Sequence, residues 1–296
     1  MHPSDLPHCF SNHMGLWLCQ DSWLAATVRA IQSGTLKAAE AADAPMMDDT
    51  GSLTVTEDGI AVLSLIGPLM KGQSKFGGIS SVGARIQLRK ALADDDVRAI
   101  LLAIDSPGGH VAGTKDLADE IAAAQKPVFA QIDDLAASAA LWIASQADQV
   151  FANATALVGS IGTYMVVYDS SEAFEREGVK VHVISTGDLK GAMVEGSKIT
   201  KAQLAAEQEL VNDINDFFVN AMADGRDLSR EAIEDIADGR VWIAAKAQKL
   251  GLIDGIQTFP QTLETIRRQI SGQRSNGRSR SLRARLAIRS AESAKI

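Results

Sequence analysis

Three short apolar runs, at 60–66, 97–104 and 128–132, alternate with stretches of helical periodicity, and this alternation restricts the folds open to the chain. Each run has the length and residue types of a strand buried on both faces. The first stops at Gly67-Pro68, a pair that ends regular structure. Between the runs, 82–93 is helical, with Ile86 and Ala93 on one face and Arg85 and Arg89 on another; 114–124 is helical as well. Residues 138–147 carry no charge and predict a short buried helix. A small strand follows at 149–152, then strands at 162–168 and 179–184 flanking a helix at 170–177. A longer helix at 201–222 has Leu204, Val211, Ile214 and Phe218 as its core face. Short helices at 231–237 and 244–250 complete the pattern, the second stopped by Gly251. Strands alternating with helices predict an α/β domain with parallel pairing.

At 296 residues the chain is long enough for one large domain with appendages. Texture divides it into a leader and linker at 1–50, an α/β domain at 51–264 and a basic tail at 265–296. In the leader, Trp17, Leu18, Trp23, Leu24, Val28 and Ile31 suggest one amphipathic helix, which docks onto a partner or packs back onto the domain. The tail has many arginines and no acidic residue between Glu264 and Glu292, so it cannot build a core and reads as flexible. It either contacts nucleic acid or an acidic protein surface, or is simply solvated. The net charge of −8 gives the body of the protein no reason to bind an anionic partner. Two cysteines, Cys9 and Cys19, exclude a disulfide scaffold; with His8 and His13 they fit no metal-ligand spacing. No stretch reaches the ~18 apolar residues of a membrane span. The first basic side chain is Arg29, too late for a secretion signal, so a soluble cytoplasmic protein is expected.

Chemistry concentrates in three places. Asp105-Ser106-Pro107-Gly108-Gly109 follows the second strand, and its glycines allow backbone N–H groups to point at a bound oxyanion. The same turn recurs as mere structure. Ser138 stands at the start of the uncharged helix, among Ala136, Ala137, Ala139 and Ala140. It is either an ordinary helix N-cap or a nucleophile with open space around its hydroxyl. Lys190, fifty-two residues later, is either a solvated surface charge or a general base. The second role requires burial that lowers its pKa by several units. A Ser-His-Asp arrangement through His110, with Asp105 or Asp133, is the weaker alternative.

Taken together, the Ser106-Pro107-Gly108-Gly109 turn, the alanine-rich serine segment, Gly159-Ser160-Ile161-Gly162 and the downstream lysine resemble the S49 family of serine–lysine peptidases. So do Val241-Trp242 through Ala247 and Leu250-Gly251-Leu252-Ile253-Asp254. The resemblance covers roughly residues 55 to 260. It implies a ClpP/crotonase-like fold of repeated β-β-α units, a homo-oligomer, and no metal or organic cofactor. It implies Ser138 as nucleophile, Lys190 as base, Ser160 as the residue orienting the lysine, and Gly109 and Ala139 as oxyanion donors. Many members have Gly-Gly where this chain has Ala139-Ala140. The branch it resembles most is the phage capsid-assembly proteases, which implies a polypeptide substrate in extended form, drawn from scaffold or portal-associated proteins, in the host cytoplasm or procapsid interior. The alternatives are a bacterial signal-peptide-peptidase-like protease acting on membrane-released peptides, a crotonase-like acyl-CoA enzyme, and a catalytically inactive assembly protein.

Overall fold

The computed structural model describes residues 17–20, 29, 53–72 and 78–272. Its strands are β1 (Trp17–Cys19), β2 (Leu53–Val55), β3 (Ile60–Ile66), β4 (Leu69–Met70), β5 (Ile79–Ser80), β6 (Ala99–Ser106), β7 (Gly108–His110), β8 (Val128–Ala137), β9 (Gln149–Ala152), β10 (Leu157–Gly159), β11 (Val241–Ile243) and β12 (Gly255–Ile256). Its helices are α1 (Ser81–Ala93), α2 (Thr114–Ala122), α3 (Ala139–Ser145), α4 (Ser171–Arg176), α5 (Lys201–Arg226), α6 (Arg230–Glu234), α7 (Ala244–Lys249) and α8 (Phe259–Gly272).

The central sheet runs β11-β10-β8-β6-β3-β2, with β9 joining β8 to β12. Pairing of β3 with β6, β6 with β8, and β8 with both β9 and β10 is parallel. β8 divides its far edge between two partners: residues 129–132 pair with β9 and residues 135–137 with β10. A smaller sheet, ordered β1-β7-β4-β5, stands beside it.

Both faces of the central sheet are covered, which is why its strands read as unbroken apolar runs rather than alternating ones. Along β6, Ile100, Leu102 and Ile104 pack toward α1, α2 and α3, in one cluster with Leu88, Leu117 and Leu141. Ala99 and Leu101 face the opposite way, in a second cluster with Phe129, Phe151, Ile266 and Ile270. Outside the core, Arg85 of α1 holds Glu120 of α2 at 2.7 Å and Asp116 at 3.0 Å, and Arg89 also pairs with Glu120.

Three expectations need correction. First, residues 17–19 form a strand, not part of a helix, because the open edge of β7 supplies backbone partners; Arg29 is helical, and the rest of the leader lies outside the described residues. Second, ordered structure does not end at 264. α8 continues to Gly272, since Thr262, Ile266 and Ile270 form a buried stripe that outweighs the arginines between them. Arg267 bonds Asp58 at 2.6 Å, so it belongs to the domain; the tail beyond 272 lies outside the described residues. Third, 162–168 and 179–184 form no ladder strands. Their composition suits a strand, but no described strand of this chain pairs with them along their length. Tyr168 is 67% and Ile184 97% exposed, and Val166, Val179 and Val183 are exposed too.

α5 is split in the same sense. Phe218, Val219 and Met222 are buried, and Phe218 stacks on Trp142 of α3 with ring centroids 5.0 Å apart. Leu204 and Leu210, toward its start, are exposed. No described helix is long and apolar enough to cross a membrane.

Candidate active site

The carboxyl ends of β6, β8 and β10 are neighbours, and each carries one of the segments singled out by sequence. Ligand sites in α/β sheets commonly form at such ends. Ser106 at the end of β6 is in register with Ala136, which places the glycine turn beside the end of β8. Gly159 is in register with Ala137, and its carbonyl accepts the Ser138 N–H at 2.8 Å. Ser138 is thus flanked by Gly108 and Gly109 of β7 on one side and the Gly159–Gly162 loop on the other.

Ser138 is the hinge between β8 and α3. Its backbone takes φ 54° and ψ −119°, a region that non-glycine residues avoid. Backbone strain of this kind persists only where the surroundings enforce it. Here the carbonyl of Gly159 holds the N–H on one side, while the Ser138 carbonyl accepts from Trp142 N–H at 2.9 Å on the other. The side chain makes no capping bond, although the residue occupies the cap position. Its Oγ instead approaches the Gly162 carbonyl at 3.5 Å, and the residue is 1% exposed. A sharp strand-to-helix turn of this geometry is how hydrolases present a serine hydroxyl at the top of a sheet.

Ala139, buried, is the first residue of α3, so its N–H has no carbonyl one turn earlier to bond. Gly109 lies against β4: a Cβ there would sit 1.8 Å from the Leu69 carbonyl oxygen, so only glycine fits. Gly108 has φ 92°, and its N–H donates to Ser106 Oγ at 3.2 Å. Ser160 is buried at φ 54°, and its N–H donates to the Arg240 carbonyl at 2.7 Å. Asp105, just ahead of the turn, has its carboxyl pushed up by burial and by the nearby Asp134 and Asp133.

Lys190 is exposed, unlike Ser138. It lies in an exposed turn, its N–H bonded to the Gly187 carbonyl at 3.0 Å, and its ammonium has no hydrogen-bond or ion-pair partner among the described residues. The expected buried amine against the Ser138 hydroxyl is therefore not formed within one chain. Thr163, next after Gly162, has a buried Oγ1 without a partner among the described residues. Sequence reasoning passed over Thr163 and named Ser106 only as part of the glycine motif, with no role of its own. Only the juxtaposition of strand ends brings them to notice.

A family model, Peptidase family S49, matches residues 120–271, just over half of the chain. The chain belongs to peptidase family S49. The α/β architecture described above is the ClpP/crotonase-like fold that the resemblance implied for S49 peptidases. Among relatives, Protease 4 of Salmonella typhi is 31% identical over 207 residues, covering 68% of this chain and 33% of the relative. Capsid assembly protease C of Escherichia phage lambda is 30% identical over 226 residues, covering 74% of this chain and 51% of the relative. Head-tail preconnector protein GP5 of Enterobacteria phage P21 is 35% identical over 164 residues, covering 53% and 32%. The chain thus spans between about a third and a half of these S49-related proteins.

Proposed function

We propose that this S49 peptidase is a serine endopeptidase with Ser138 as nucleophile and Lys190 as general base. The backbone of Ser138 carries the reading: a buried serine held at φ 54° between strand and helix, its hydroxyl unused for capping. A neutral Lys190 amine would take the Oγ proton. The alkoxide then attacks the carbonyl carbon of an extended peptide, and the N–H groups of Gly109 and Ala139 hold the oxyanion. Collapse breaks the C–N bond, the lysine proton passes to the leaving amine, and an ester remains on Ser138. Water, deprotonated by the lysine, hydrolyses that ester. Ser160 would orient the lysine.

Lys190 would reach this position from another copy of the chain. The exposed apolar side chains of Val166, Tyr168, Val179, Val183 and Ile184, in segments that form no ladder strand, and the exposed start of α5 leave an apolar surface available to a second copy. Packing copies against it in a homo-oligomer would desolvate the amine, and that lowers a lysine pKa. The substrates proposed are capsid-assembly proteins, in keeping with the name of the lambda relative.

The test has two arms. A fluorophosphonate should label the wild-type protein at Ser138 and leave Ser138→Ala unlabelled. Ser138→Ala and Lys190→Ala should each be inactive on a casein-type substrate. Mixed and reassembled, they should recover up to about a quarter of wild-type turnover, since random mixing of subunits creates some intact pairs. Labelling elsewhere, or full activity of either variant, would refute the assignment.

A further inference from the structure

β1 lies antiparallel to β7, on the edge that β4 leaves open. Trp17 is opposite His110, Leu18 opposite Gly109 and Cys19 opposite Gly108. One step further, the Gln20 N–H donates to the Pro107 carbonyl at 2.8 Å. In an antiparallel ladder, hydrogen-bonded and non-bonded pairs alternate. Gln20 and Pro107 are a bonded pair, so Cys19 and Gly108 are not, and Leu18 and Gly109 are. It follows that the Gly109 N–H donates to the Leu18 carbonyl. A peptide carbonyl of this chain already sits on the group assigned to the substrate's oxyanion.

The segment also has the form of a bound substrate. It is extended, it pairs through its backbone with a strand edge beside Ser138, and it buries its Cys19 side chain to 2% exposure. Addition of an extended peptide to a sheet edge is a general mode of peptide recognition.

We propose that residues 17–20 act as a competitor in cis: they occupy the β7 edge along which an extended polypeptide substrate lies, and they leave it before Gly109 serves in catalysis. The inference rests on the peptidase reading above. A strand of three residues is held by few ladder bonds, so a substrate that pairs along the same edge and continues beyond it displaces the segment. Apparent substrate affinity is reduced by the fraction of molecules in which the edge is occupied. A strand that were only a structural border would behave oppositely, and its loss would lower activity.

The experiment uses the full chain. Cys19→Asp places a charge at a buried position, and Leu18→Pro removes the N–H that bonds the Gly109 carbonyl. Both should raise kcat/KM for an unstructured peptide substrate about tenfold, with kcat within about twofold of wild type. An unchanged or lowered kcat/KM at wild-type melting temperature overturns the proposal. Should both variants melt early, a second measurement leaves the strand intact. In Cys9→Ser/Ser138→Ala protein, Cys19 is the sole thiol, and its maleimide labelling should accelerate when a synthetic peptide of residues 13–24, made with serine in place of its own cysteine, is added to saturation. No acceleration overturns the proposal. This readout needs no turnover. If fluorophosphonate never labels Ser138, the peptidase reading has failed, and this inference with it. If Ser138 is labelled and Cys19 stays protected, this inference alone has failed.

Discussion

Replacing Ser138 by glycine should make the protein more stable while abolishing its chemistry. The residue stands at φ 54° and ψ −119°, beyond even the left-handed helical basin, so a strain toward the upper end of about 1–3 kcal/mol is expected. Glycine adopts this conformation freely but costs about 0.5–1 kcal/mol through the added freedom of the unfolded chain. Losing one buried carbon costs about 0.8 kcal/mol more. The hydroxyl contributes little, because its contact with the Gly162 carbonyl, at 3.5 Å, is at the limit of a hydrogen bond. The net gain over Ser138→Ala, which keeps the β-carbon and therefore the strain, is about 0.5–1.5 kcal/mol. For a domain of this size that is roughly 1–6 °C in melting temperature. Calorimetry of wild type, Ser138→Ala and Ser138→Gly under one set of conditions, with peptide cleavage assayed alongside, measures it. A glycine variant that melts below the alanine variant, or that still cleaves, would defeat the argument that strain is stored at this residue for a nucleophile's sake.

Two further outcomes concern the scaffold. Phe218→Ala should cost about 3–5 kcal/mol by chemical denaturation, because it empties a fully buried site stacked on Trp142 and loosens α5 from α3. Glu120→Gln should cost on the order of 0.5–1 kcal/mol at neutral pH, since the pairs it breaks are partly exposed. Burial alone would push the Glu120 carboxyl up, but hydrogen bonds and charge from Arg89 and Arg85 outweigh it and hold the group below its ordinary 4.5. A depressed carboxylate stabilises fully above its unfolded value and loses that contribution as pH falls through the folded value. The gap between wild type and Glu120→Gln, followed by denaturant titration at several pH values, should therefore narrow on acidification below about 4.5.

How far the fold was legible depended on where each element finds its partner. β3, β6, the first half of β8 and β9 were plain because burial on both faces leaves apolar runs, and α3 because a helix without charge must be interior; the second half of β8, where Asp133 and Asp134 are exposed, was not read as strand. Phe218 was correctly placed on a core face, whereas Leu204 was not: α5 outruns the core it packs on, a matter of length that periodicity does not report. α8 was missed because Arg267 and Arg268 obscured the stripe of Thr262, Ile266 and Ile270. β1 was misread because a strand of three residues takes its state from β7, ninety residues away, rather than from its own side chains. In the site, the position of Ser138 at a helix start was visible, but its backbone angles arise from bonds to Gly159 and Trp142. Lys190 is the opposite case: residue type suggested a role, while burial is a property of whatever surrounds it.

The division of β8 between two neighbours ties the position of Ser138 to the interior of the protein. The ladder of 129–132 with β9 works as a ruler, and the Ser138 hydroxyl, the proposed nucleophile, is set down six residues beyond its last mark. A strand that slipped by one position would turn every side chain to the opposite face, and the serine would turn with them. The placement of the Ser138 hydroxyl is therefore inherited from aliphatic packing around Ala130 and Ile132, residues with no chemistry of their own.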